Sequence, residues 1–123
     1  MLNAGAALVL NLAPRFQMVA STRGSGLIEG VDPSSPAGQW IRQNAIHYRN
    51  IDLRFVDPHN GLGGFGASSA QFLFVYRLTE ILKGDSASST PEAQAESVWR
   101  AYRQLESVSQ EGLRPSGADI VGQ

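Results

Sequence analysis

Hydrophobic and polar positions follow two periods along this chain, and the switch between them separates strands from helices. Ile51, Leu53 and Phe55 alternate with Asp52 and Arg54, which predicts a half-buried strand over residues 51–56. Residues 6–12 and 16–21 read as two further strands hinged at Ala13 and Pro14. A glycine-rich turn over residues 23–30 carries Leu27 and Ile28 as a short strand. The spacing then becomes helical. Ser34 or Ser35 caps a helix with Pro36 in its first turn, and Ala37, Ile41, Ala45 and Tyr48 form one stripe. Residues 67–83 form a helix that is apolar on nearly every side between Phe72 and Tyr76, which makes it central, and Gly84 ends it. Thr90 caps a last helix that begins at Pro91 and turns Val98, Tyr102 and Leu105 inward. Trp40, Trp99 and Tyr102 read as core aromatics. The pattern predicts an α+β fold, with an antiparallel or mixed sheet packed against helices, as one unit over residues 1–123.

Composition narrows the function without naming it. The 123 residues are 42% hydrophobic and 17% charged with a net charge of −1, enough for one core and too neutral to attract nucleic acid or an acidic membrane. There is no cysteine, so disulfides and thiolate metal sites are excluded. His47 and His59 are too few for a histidine metal cluster. The apolar stretch over residues 4–12 lacks a preceding Lys or Arg and is interrupted by Asn11, unlike a signal peptide. It is also shorter than the roughly twenty apolar residues of a membrane-crossing helix. A buried strand and a cytoplasmic protein, with no nucleic-acid or membrane partner, are the expectations.

The densest chemical signal lies between the strand at 51–56 and the helix that follows. Gly61, Gly63, Gly64 and Gly66, then Ala67, Ser68 and Ser69, run directly into that helix. Glycines let a backbone turn tightly and approach a ligand closely. A helix N-terminus offers N–H groups outside the helical ladder and the positive end of a dipole, which suits an anion. Ser68 and Ser69 lie where a hydroxyl either caps the helix or reaches a phosphate or its metal. A P-loop needs a lysine at its end, yet Lys83 is the only lysine in the chain. Gly61, Gly63 and Gly66 fit the dinucleotide spacing, which wants an acidic residue about twenty positions on. Asp85 meets that distance in a serine-rich loop and not at the end of a second strand, which argues against that fingerprint. Asp57, His59 and Asn60 shape the approach to the glycines.

A second motif closes the chain: Pro115, Ser116, Gly117, Ala118 and Asp119, followed by Ile120 and Val121. With the glycine loop it resembles the GHMP kinases, the family of galactokinase, homoserine kinase and mevalonate kinase. Their Gly-Leu-Gly-Ser-Ser-Ala loop wraps the ATP phosphates, and residues 64–70 look like that loop with one extra residue. Residues 115–119 match the Pro-Ser-Gly-x-Asp segment of the mevalonate kinase branch, and residues 5–15 are similar to the family's early strand pair. The resemblance implies ATP and Mg²⁺ as cofactors and a small alcohol as phosphate acceptor. It implies Asp119 as catalytic base, residues Gly61, Gly63, Gly64, Gly66, Ala67, Ser68 and Ser69 around the nucleotide, and Ser68 with Glu106 at magnesium. Glu111 competes with Glu106, and a solvated helix face would account for either carboxylate. Asp119 also suits an ordinary turn.

The same family begins with a strand bearing a lysine or a Gly-Glu motif, and continues past the aspartate into a C-terminal domain. Neither is in this sequence, so the expectation is a partial N-terminal domain that is catalytically inactive alone. The competing expectation is a non-catalytic domain, either phosphate-binding or self-associating through an exposed strand edge as a homodimer or larger species.

Overall fold

The computed structural model describes residues 14–59, 62, 66–84 and 90–108, the last three without their side chains. Its elements are β1 (Gln17–Thr22), β2 (Ile28–Glu29), α1 (Pro36–Gln43), α2 (Ala45–Tyr48), β3 (Ile51–Val56), α3 (Ala67–Leu82) and α4 (Pro91–Val108). The fold is α+β, and the sheet is mixed. β3 lies at its centre, antiparallel to β1 with Gln17 opposite Val56 and parallel to β2 with Ile28 opposite Leu53. The alternation predicted for 51–56 is present: Ile51, Leu53 and Phe55 are buried, while Arg54 is exposed. The predicted strand at residues 6–12 lies outside the described residues.

Helices pack over the face of β3 that carries those three residues. The core joins them to Ala37 and Tyr48, to Phe72 and Val75 of α3, and to Val98, Tyr102 and Leu105 of α4. α3 is central, as its all-round apolar sequence predicts. Trp40 of α1 meets Phe72 edge-on at 5.8 Å between ring centroids and Tyr76 at 5.1 Å. Phe74 meets Phe55 of the sheet at 6.4 Å. Gly84 closes α3 with φ 77°, its N–H donating to Ile81 O at 3.0 Å. Thr90 caps α4 by accepting the Ala93 N–H at 3.2 Å.

One helix differs from its sequence pattern. The stripe from Ala37 to Tyr48 predicts a single helix, but Asn44 divides it into α1 and α2 with φ −112° and ψ 26°. The Asn44 side chain donates to Trp40 O at 2.9 Å, and its N–H is shared between Trp40 O at 3.1 Å and Ile41 O at 3.2 Å, so the Ile41 carbonyl that would continue the helix is taken up in the turn. The turn rotates Ala45 and Ile46 to the surface, and only Tyr48 of the second segment is buried. At the start of α1, Ser35 is the cap, accepting the Gly38 N–H at 3.1 Å, with Pro36 as first helical residue.

Candidate functional site

Because β2 and β3 are parallel, their C-terminal ends lie at the same end of the sheet. Each strand feeds a helix: β2 runs through a turn into α1, and β3 runs through the glycine loop into α3. The approach to the loop is built as its residue types predict. Asp57 accepts the His59 N–H at 2.8 Å, and Leu62 N–H donates to His59 O at 3.1 Å. Phe16, just before β1, stacks on Phe55 at 5.7 Å and touches the His59 ring edge-on at 5.4 Å.

Gly66 opens α3. It holds φ 77° and ψ 24°, and its carbonyl accepts the first helical bond, from Ala70 N–H at 2.9 Å. That left-handed conformation costs an ordinary residue about 1–2 kcal/mol, which is why glycine suits the position. The reading of the serines as plain N-caps is therefore corrected, since the cap position belongs to Gly66. Ala67, Ser68 and Ser69 are the first three helical residues, whose N–H groups lie outside the helical ladder by geometry. The two hydroxyl residues then diverge. Ser68 is exposed to solvent, whereas Ser69 retains 2% exposure and belongs to the interior.

α4 brings a third sequence-predicted position to the same end. Tyr102 meets Phe72 at 5.1 Å, Ser97 hydrogen-bonds Tyr76, and Gln94 bonds Arg77, so α3 and α4 run antiparallel. The helical turn after Tyr102 carries Glu106 and is level with the first turn of α3, where Ser68 sits. The side chain of Glu106, together with Gly61, Gly63, Gly64, Asp85, Glu111 and Asp119, lies outside the described residues. Among the described residues no three His, Cys, Asp or Glu side chains gather into a metal site. No described helix is long and apolar enough to cross a membrane.

Two interactions here escape sequence reasoning. Gln71 Nε2 donates to Gly30 O at 2.9 Å, tying the second turn of α3 to the end of β2. Asp52 accepts the N–H groups of Ser25 at 2.8 Å and Leu27 at 2.9 Å, pinning the β1–β2 turn. Those donors, Leu27 first, hold the Asp52 carboxyl below its ordinary value. Asp32 is lowered likewise by the Ser34 hydroxyl and N–H, both at 2.7 Å. Asp52 stands at a polar position of a strand, and only the outward alternation of β3 hints that it meets the neighbouring turn. Compared with known families, curated proteins and solved structures, the chain matches none of them.

Proposed function

We propose that the chain carries the nucleotide-binding part of an ATP-dependent small-molecule kinase of the GHMP type, with the β3–α3 loop and the first turn of α3 as its phosphate site. The observation that carries the reading is the start of α3: a left-handed glycine cap leaves the Ser68 hydroxyl uncommitted to capping and exposed beside the helix N-terminus. That agrees with the role the loop resemblance gives to Ser68. The antiparallel course of α4 supports the pairing of Ser68 with Glu106 near a magnesium ion, because both positions are level at one end of the helix layer.

Mg·ATP would supply the phosphoryl group for a small alcohol. The chain's part is to neutralise and orient: the N–H groups of Ala67, Ser68 and Ser69 face the developing phosphate charge, and the Ser68 hydroxyl reaches it or its metal. Asp119 would accept the proton of the attacking hydroxyl. Ser69, being buried, would act through its backbone N–H.

Calorimetric titration with Mg·ATP tests the reading. Saturable binding is expected, weakened about tenfold, equivalent to ~1.4 kcal/mol, by Ser68→Ala at its exposed position. Adding Ser69→Ala is expected to cost no further affinity in the folded protein, because alanine keeps the backbone N–H through which the buried Ser69 would act. A folded protein that takes up no nucleotide would overturn the assignment.

A non-catalytic, self-associating role is the second reading, and one observation favours it. Among the described residues β1 is paired along one edge alone, and its six residues carry no charge and no proline to deter a further strand.

A further inference from the structure

We propose that Gln71 is a positioning residue for this nucleotide site: its bond to Gly30 fixes the first turn of α3, and with it Ser68, against the end of β2. The inference rests on the nucleotide reading above. Gln71 lies three residues after Ser68, so the two share one face of α3. Its amide spans 41 positions of sequence to reach the Gly30 carbonyl at 2.9 Å.

The acceptor is rigid. Gly30 holds φ 77°, and a Cβ there would come within 2.6 Å of Phe55 O, so the turn lies directly on the last residues of β3. The ligand-facing turn of α3 is entered through the left-handed Gly66. Buried Ser69 and Ala70 seat the first turn in the interior, and Phe72, Val75 and Thr79 secure the helix further along. The Gln71 amide adds a polar anchor to these contacts, on the face that Ser68 presents. A ligand group must be held to within about 0.5 Å by supporting contacts of this kind to be effective.

The test is a double-mutant cycle on Mg·ATP affinity. Gln71→Met keeps the length and volume of the side chain and removes the donor, and it is expected to raise Kd about fivefold, the worth of one ordinary hydrogen bond. Gln71→Ala, a second variant at the same position, should give a similar loss with the fold retained by circular dichroism. If Gln71 acts through Ser68, the pair of Gln71→Met with Ser68→Ala binds no more weakly than Ser68→Ala alone. A merely structural side chain would give independent losses that multiply. Multiplying losses, or wild-type affinity in Gln71→Met, would overturn this inference and leave the nucleotide site standing. A wild-type chain that binds no Mg·ATP would overturn both.

Discussion

At the scale of single residues, Thr79 shows how a polar side chain comes to lie at the centre of an apolar helix. It retains 1% exposure, and its hydroxyl sits 2.8 Å from Val75 O, 2.7 Å from the Tyr48 hydroxyl and 3.0 Å from the Trp40 indole nitrogen. The Tyr48 hydroxyl is also 2.9 Å from Val75 O. Two hydroxyl protons are thus shared among three oxygens, and the Trp40 N–H donates to Thr79. Burial raises the Tyr48 pKa, which keeps this proton in place over the ordinary pH range. Thr79→Val preserves shape but strands the Trp40 donor in the interior. A loss of about 1–3 kcal/mol is expected from the urea midpoint; an unchanged midpoint would show that water replaces the hydroxyl. Trp40 is legible as a core aromatic from sequence, but the hydroxyl it needs is 39 residues away.

At the scale of elements, capping and punctuation residues set the boundaries, and long-range carboxylate contacts set how the loops lie. Ser35, Pro36, Gly84 and Thr90 mark helix ends in the structure as their residue types predict. Asn44 is the exception: its non-helical backbone, with its N–H shared between Trp40 O and Ile41 O, ends a helix that its apolar neighbours favour. Asp52 joins two elements, and its link has a pH dependence. Its folded-state pKa is depressed, so the stability it gives is present above the ordinary value of 3.8 and is lost as pH falls through the folded value. Asp32 acts in the same direction. The melting temperature should therefore drop as pH falls below the ordinary carboxylate value of 3.8. Asp52→Asn should melt lower near neutral pH and show a shallower acid limb, with the Asp32 part remaining. An acid limb as steep as that of the wild type would show that Asp52 does not hold the turn.

At the scale of the whole molecule, the described residues form a helix layer on one face of a small mixed sheet, and among them the coverage is uneven. Ala20 and Thr22 of β1 stand opposite the buried Leu53 and Ile51 yet are exposed themselves. Val19, on the other face, keeps 46% exposure. An uncharged strand paired along one edge alone among the described residues favours pairing with a second copy, since two-fold pairing would set no like charges opposite each other. Sedimentation should then give a concentration-dependent mass above the 13.2 kDa of one chain. Val19→Lys should return it to that mass, because a charge on an edge strand deters further pairing. A wild-type protein that stays monomeric would remove this second reading and leave the nucleotide site unaffected.

The sequence by itself determined the local features: the β3 alternation, the apolar α3, the three inward residues of α4, and a glycine loop between strand and helix. Those features follow from periodicity and backbone freedom, which act over a few neighbouring residues. The tertiary structure alone decided that β2 joins β3 in parallel while β1 joins it antiparallel, and that Gly66 takes the helix cap. It also decided that Ser68 faces solvent while its neighbour Ser69 is buried. Adjacent helical residues point about 100° apart, so which of two serines meets solvent depends on what packs against the helix. For that reason the loop is legible in the sequence, and which of its two serines is exposed is not.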